Sequence, residues 1–232
     1  GIRVEDGKAL WYKNKFVTSP FGFGPNTHVL KHGEKIYALV EGGVSPVIMD
    51  SEMNFLEEEP FPAADNKRFT AHPKIDSDTG EMHAVSYDFG EYVNGLGQVH
   101  YVTIDSNGKL IKDQIIETPS RPMVHDCAIT KNYVLIFDLP VTFNLGRRDD
   151  DNNPIGGDYP VVWNDKHTSR VGLQNKKTDE IIWIEVNPGF LFHIVNSYED
   201  DNGQVILEFC RYERLIDFDN HLPIGQKPFI TR

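Results

Sequence analysis

Gln98-Val99-His100-Tyr101-Val102-Thr103-Ile104 and Leu110-Ile111-Lys112-Asp113-Gln114-Ile115-Ile116 flank a turn that contains Ser106-Asn107-Gly108. β-Branched and aromatic residues crowd both arms, and Asn-Gly between such arms is the strongest short-range hairpin signal. The same grammar repeats outward in both directions. Upstream, His28 to Leu30 and Lys35 to Val40 flank Lys31-His32-Gly33-Glu34, and Glu81 to Tyr87 follows Ser77-Asp78-Thr79-Gly80. Downstream, Cys127 to Ile129 and Tyr133 to Leu139 flank Thr130-Lys131-Asn132, and Glu180 to Val186 follows Thr178-Asp179. Phe192 to Tyr198 and Val205 to Tyr212 flank Asp200-Asp201-Asn202-Gly203. No dozen-residue window carries a helical apolar stripe, and Ser51 to Glu59 is predicted to form one short helix at most. The chain therefore reads as all-β, a sandwich, a barrel or a propeller.

Two segments break the strand pattern. Gly146 to Tyr159, rich in Asp, Asn and Gly, reads as a long surface loop. It lacks the glutamate that closes a calcium-binding EF-hand loop. Asp217 to Arg232 has little periodicity and no obvious final strand.

A length of 232 residues suffices for a full core. The net charge of -12 argues against nucleic acid as a partner, and mildly against tight binding to anionic membranes. Cys127 and Cys210 lie in apolar strand-like runs and read as buried free thiols. Apolar stretches fall far short of the ~20 residues that a helical membrane span needs, and no secretory signal is legible, so a cytoplasmic location is expected.

Three histidines stand in similar settings: Phe69-Thr70-Ala71-His72-Pro73-Lys74, Pro122-Met123-Val124-His125-Asp126 and Phe190-Leu191-Phe192-His193-Ile194. Their separations, 53 and 68 residues, are too wide for a zinc finger. A propeller blade takes ~40–45 residues in minimal cases, and longer loops extend it. Inner strands of a propeller converge on its axis, so one histidine per successive blade reaches a common centre. The expectation is a buried metal centre of imidazoles alone, set against the plainer reading of hydrogen-bonded core histidines. Imidazole suits iron, copper, zinc and nickel. Carboxylates are expected behind such ligands, accepting the free ring N–H. Glu41 in Val40-Glu41-Gly42-Gly43 is the candidate, with a solvated strand-end glutamate as the alternative. Asp126, adjacent to His125, is expected on the opposite face of an extended chain and reads as a backbone-capping or loop-packing group rather than a second metal ligand. His28, His32, His83, His100, His167 and His221 lie in turns, polar strand faces or loops and read as non-catalytic. No nucleophile elbow, phosphate-binding loop or dinucleotide fingerprint is present.

The wording of the motifs resembles one family. Asn26-Thr27-His28-Val29, Ala38-Leu39-Val40-Glu41-Gly42-Gly43, Phe69 to Asp76, Thr79-Gly80-Glu81-Met82-His83, Pro122 to Thr130, Asp138-Leu139-Pro140-Val141, Arg170-Val171-Gly172 and Phe192 to Asp200 match, in order and spacing, the carotenoid cleavage oxygenases. That family includes carotenoid and apocarotenoid dioxygenases, stilbene-cleaving dioxygenases and the retinoid isomerase of the eye. The resemblance implies a seven-bladed β-propeller with Fe(II) held on its axis by four histidines. His72, His125 and His193 match three of them, and Glu41 matches the first glutamate behind the ligands. His28 is not a ligand in the family pattern.

Family members are considerably longer. The resemblance implies that residues 1–232 are the central portion of a single propeller domain, with the N-terminal start and the C-terminal blades missing. The missing C-terminal portion is then expected to supply the fourth histidine, and an open arc alone is expected to expose unpaired edges. The implied activity is oxidative cleavage of a conjugated C=C bond with O2 as co-substrate, giving aldehyde or ketone products. The substrate would be a hydrophobic polyene or a stilbene lying along an apolar wall for which Phe69, Phe143, Trp163, Phe190 and Tyr198 are candidates. Stilbene-cleaving members carry a lysine where this chain has Val40, so the lean is toward an apocarotenoid or carotenoid. A non-catalytic propeller fragment acting as a binding or assembly module is the reading from another class. Family members often rest against a membrane, so peripheral membrane contact is a further expectation.

Overall fold

The computed structural model describes residues 2–5, 8–12, 25–41, 45–58, 69–87, 97–143, 161–215 and 228–232. These residues form antiparallel strands, and none lies in an α-helix. No helix among them is long and apolar enough to cross a membrane.

A two-stranded ribbon, β1 (Ile2–Glu5) and β2 (Lys8–Tyr12), comes first. A four-stranded meander follows: β3 (His28–His32), β4 (Lys35–Leu39), β5 (Val47–Met49) and β6 (Phe55–Glu58), paired in chain order. The second meander is β7 (Lys74–Ile75), β8 (Met82–Tyr87), β9 (Gly97–Ile104) and β10 (Leu110–Thr118). In the third sheet, β11 (Ala128–Ile129) and β12 (Tyr133–Asp138) come first. A small hairpin of β13 (Val141–Phe143) and β14 (Val161–Trp163) intervenes before β15 (Arg170–Asn175) and β16 (Ile181–Glu185) complete the sheet. The fourth sheet is β17 (Phe190–Glu199), β18 (Val205–Tyr212) and β19 (Phe229–Thr231).

One local device closes many of the hairpins. Asp50, Asp105 and Asp200 each accept the backbone N–H two and four residues on through Oδ1, and Asp76 does the same for Asp78 and Thr79. This is the turn chemistry for which aspartate is suited. The residue three after the aspartate takes a left-handed conformation in Gly108 and Gly203, and in Met53 it does so without being glycine.

The sheets are stacked face against face, and alternation along the strands assigns each side chain to one interface. Tyr37, Leu39 and Ile48 of the first sheet pack on Met82, Ala84, Val102 and Ile104 of the second. The intervening residues Val85, Val99 and Tyr101 pack on Val134 and Ile136 of the third. Leu135 and Phe137 then meet Phe190 and Leu191 of the fourth. The middle sheets are thus apolar on both faces, which explains the unbroken burial of β8. Beyond the fourth sheet the pattern stops: every residue of β18 is half-buried, and Ile230 is 72% exposed.

The structure corrects several expectations. Ser51 to Glu59 forms no helix within its described residues: Ser51 and Glu52 turn and Phe55–Glu58 is strand. The tail does contribute a final strand, Phe229–Thr231, paired with β18. β5, β7, β13 and β14 are only two or three residues long, too short to show a period, and β15 is interrupted by Gly172. Gly146 to Tyr159 and His221 lie outside the described residues.

Gly172 lets Trp183 and Ile181 lie against the backbone of β15. A Cβ there would stand 2.6 Å from Ile181 Cδ1 and 2.9 Å from Trp183 Cζ3, and the Arg170 guanidinium lies over the Trp183 ring, 3.9 Å from its centroid. Gly172→Ala is expected to destabilise the protein by about 1–3 kcal/mol through overpacking. An unchanged denaturant midpoint would show that the ring is free to move away.

Candidate metal centre

Each of the three sequence-singled histidines sits at or just before the first strand of a sheet. His72 precedes β7. Thr70 Oγ1 accepts its backbone N–H at 3.1 Å, and Pro73 holds the backbone extended toward the strand. The carbonyl of Ala71 accepts a hydrogen bond from His28 Nδ1 at 2.9 Å, so His28 anchors this loop from the first sheet. His125 lies between the bridge Pro122–Thr142 and β11.

His193 is inside β17, at a β-bulge. Leu191 faces Arg211 and Ile194 faces Phe209, so Phe192 and His193 together oppose Cys210 alone. Bulges re-aim side chains and occur beside functional sites. Here simple alternation would send neighbours to opposite faces, yet Phe192 and His193 both lie close to His125, with ring centroids 5.1 Å from it in each case.

The structure brings the three imidazoles together. Their ring centroids are 4.7 to 5.1 Å apart, and one nitrogen from each lies within 4.8 Å of the others. Two observations suit a cation at this point. His125 Nε2 and His193 Nε2 face each other at 3.4 Å. Two nitrogens bound to one metal at ~2.1 Å stand about 3.0–3.4 Å apart. His72 Nε2 is buried and has no hydrogen-bond partner among the described residues. Burial, reinforced by repulsion from His125, lowers the His72 pKa to about 4, so its ring is a neutral donor at pH 7.

Glu41, just after β4, reaches this site from the first sheet. Its Oε2 lies 2.7 Å from His125 Nδ1, with the ring N–H angled off a straight hydrogen bond. Tyr87 of β8 also hydrogen-bonds Glu41. Burial, and next the Glu41 charge, push the Tyr87 hydroxyl pKa well up. Sequence reasoning missed Tyr87, whose partner is remote in the chain, and Phe192, because the bulge is invisible to periodicity.

The other candidates are distributed more widely. Phe69 is buried between the first and second sheets and Phe143 between the second and third, where it stacks on Tyr87 at 5.1 Å. Phe190 is buried in the third interface, edge-on to Phe192 at 5.1 Å. Trp163 is half-buried beneath the Arg214 guanidinium, and Tyr198 accepts a hydrogen bond from Arg232 at 2.7 Å. Val40 is half-buried beside Glu41. His83 lies buried against Tyr101 and Thr103, and His167 sits between Ser120 and Asp138, both away from the triad.

The family of RPE65, retinal pigment epithelial membrane protein, matches residues 5–228. The chain belongs to this carotenoid cleavage oxygenase and RPE65 family. A carotenoid cleavage oxygenase of Mycobacterium tuberculosis is 31% identical over 291 residues, an alignment that covers 100% of this chain and 57% of that protein. A carotenoid 9,10(9',10')-cleavage dioxygenase of Crocus sativus is 31% identical over 220 residues, covering 92% of this chain and 38% of the relative. Among solved structures, Pseudomonas brassicacearum lignostilbene dioxygenase superposes with a TM-score of 0.68 at 27% identity, over 83% of this chain and 39% of that one. A Synechocystis apocarotenoid oxygenase gives 0.67 at 25%, over 82% and 40%. The chain thus spans just over half the length of the mycobacterial family member and about two fifths of the solved ones.

His83 shares the depressed pKa of His72, again lowered to about 4 chiefly by burial. The unfolded chain binds protons at these rings near pH 6.5. Between about pH 6.5 and 4 the unfolded state therefore holds more protons, and stability falls as pH falls. Thermal melts of metal-free protein should show a decreasing midpoint across that window, with a shallower slope in His83→Gln. An equal slope in that variant would rule out His83 as a contributor.

Proposed function

We propose that this chain forms part of a seven-bladed β-propeller whose axis carries a non-haem iron(II) centre held by His72, His125 and His193. The proposed activity is a dioxygenase reaction that cleaves a conjugated C=C bond of an apocarotenoid or carotenoid. The observation that carries this reading is the convergence of three imidazoles from three separate sheets, with no carboxylate among the described residues in the cluster. Four-stranded meanders stacked face against face support the propeller. The remaining coordination is assigned to a further histidine outside residues 1–232, in keeping with the greater length of the relatives.

The balance of the reaction is simple. One C=C bond breaks, each of its carbons gains one atom of O2, and two carbonyl groups result without a separate reductant. Bound iron(II) would supply the redox chemistry that lets dioxygen react with a closed-shell polyene. The residues of this chain do the rest. His72 stays neutral because it is buried, and so offers a lone pair at neutral pH. Glu41 Oε2 stands 2.7 Å from His125 Nδ1 and is placed to bias the orientation of that ring. Phe192 presents an apolar ring beside His125 and His193, although His193 itself is exposed. No side chain is required to move a proton.

Val40 places an apolar side chain next to Glu41, which favours a polyene over a phenolic stilbene. Stilbene cleavage is the second reading, supported by the likeness to the lignostilbene dioxygenase and by 26% identity over 203 residues to resveratrol cleavage oxygenase 1 of Chaetomium globosum. Apolar polyenes partition into membranes, so peripheral membrane contact belongs to the first reading.

Elemental analysis of anaerobically purified protein from the complete gene should find one iron per chain. His125→Ala should abolish both iron binding and cleavage, whereas a binding or assembly module would keep its partner. Cleavage retained after that substitution would reject the assignment. Glu41→Gln should weaken iron binding about 10–100-fold. Parental affinity in that variant would reduce Glu41 to a strand-end charge.

A further inference from the structure

We propose that Asp126 is the positioning residue that sets the spacing of the three imidazoles. Its carboxylate touches all three histidine-bearing segments and none of the imidazoles. Oδ1 lies 2.6 Å from Lys74 Nζ, two residues beyond His72. The same oxygen accepts the backbone N–H of Cys127 at 2.8 Å, two residues beyond His125. Oδ2 accepts the backbone N–H of Ile194 at 3.3 Å, the residue next to His193. The group is 3% exposed. A buried carboxylate is costly unless it is paired and hydrogen-bonded, so its partners are held at fixed distances.

Two acceptor oxygens are needed here, one for the Lys74 and Cys127 side and one for Ile194. Asparagine has the same shape but a single acceptor oxygen and no charge, so it can keep only one side of the clamp. The buried Asp138 is a natural control. It is fully buried and pairs with Arg170 at 2.7 Å and His167 at 2.9 Å, but touches no ligand-bearing segment.

The proposal rests on the reading of His72, His125 and His193 as a metal centre. The test uses full-length protein with cobalt(II) as the probe, measuring affinity by titration and coordination geometry by visible absorption. Asp126→Asn should weaken cobalt binding about tenfold and shift its absorption bands. Asp138→Asn should lower the melting temperature while keeping both. Lys74→Gln separates position from charge. Removing a cation near the metal would tighten binding on electrostatic grounds alone, whereas a loosened clamp weakens it.

Parental affinity and spectrum in Asp126→Asn, or tighter binding in Lys74→Gln, would overturn the proposal. Should Asp126→Asn fail to fold, Lys74→Gln, altered at a side chain 29% exposed, decides by the same sign. A parent protein that takes up no cobalt would overturn the metal centre and this proposal with it. Cobalt binding by the parent with no effect in either variant would overturn the clamp alone.

Discussion

Three nitrogens from three different sheets stay within 4.8 Å only if the sheets cannot slide over one another. Strand pairing does not supply that constraint, because every ladder of the four larger sheets closes within its own sheet. The apolar interfaces do not supply it either, since burial is non-directional and tolerates small shifts. Directional contacts between neighbouring sheets do. His32 Nε2 donates to the Asp105 carbonyl at 2.7 Å and His28 to that of Ala71, tying the first sheet to the second. Lys176 pairs with Asp76 at 2.7 Å while its backbone N–H donates to the Asn132 carbonyl at 2.9 Å, tying the second to the third. Glu199 accepts from Thr130 at 2.6 Å and from the backbone and side chain of Asn132, while Ser197 donates to Ile129, tying the third to the fourth.

These straps use carboxylates in a consistent way. Burial raises the Glu199 pKa, but hydrogen bonds from Thr130 and Asn132 outweigh it and hold the carboxyl below its ordinary range. Asp76 follows the same balance, with Lys176 as the leading counterweight. Both groups are therefore ionised throughout the neutral range, and their stabilisation is lost only as pH falls through their depressed values. The histidines of the centre behave differently, since His72 is kept neutral by burial. Straps that carry charge and an imidazole that does not are compatible because they occupy different places: the straps end on turns and strand ends, while the imidazoles face one another.

Much of this was legible in the chain. The hairpins showed themselves because alternating arms and Asx-Gly turns are local signals, and β8, β9, β10, β12 and β18 fall where those signals put them. His72, His125 and His193 stood out because each follows a short apolar run, and the wording around them carries the family. What remained hidden is non-local. Strands of two or three residues, such as β5 and β7, exist only because a longer neighbour pairs with them. The bulge at Phe192 and His193 is defined by its partner strand and has no sequence period of its own. The placing of Asp126 on the face away from His125 did follow from alternation. Its bonds to Lys74 and Ile194, 52 and 68 residues away, did not.

The position of Glu41 completes the electrostatic logic. A carboxylate in direct contact with a divalent ion would cancel much of its charge. Imidazole donors, which bring no negative charge, leave that charge intact. Glu41 stands behind His125 instead, 2.7 Å from Nδ1, while Nε2 of the same ring faces His193. Tyr87 keeps this arrangement from drifting. Its hydroxyl stays protonated because burial and the nearby Glu41 charge both oppose ionisation, so it remains a donor to Glu41. Glu41, which belongs to the first sheet, is thereby met by Tyr87 from β8 of the second and by the His125 ring from the β11 approach of the third. The contacts of this one carboxylate therefore join three sheets beside the imidazole cluster.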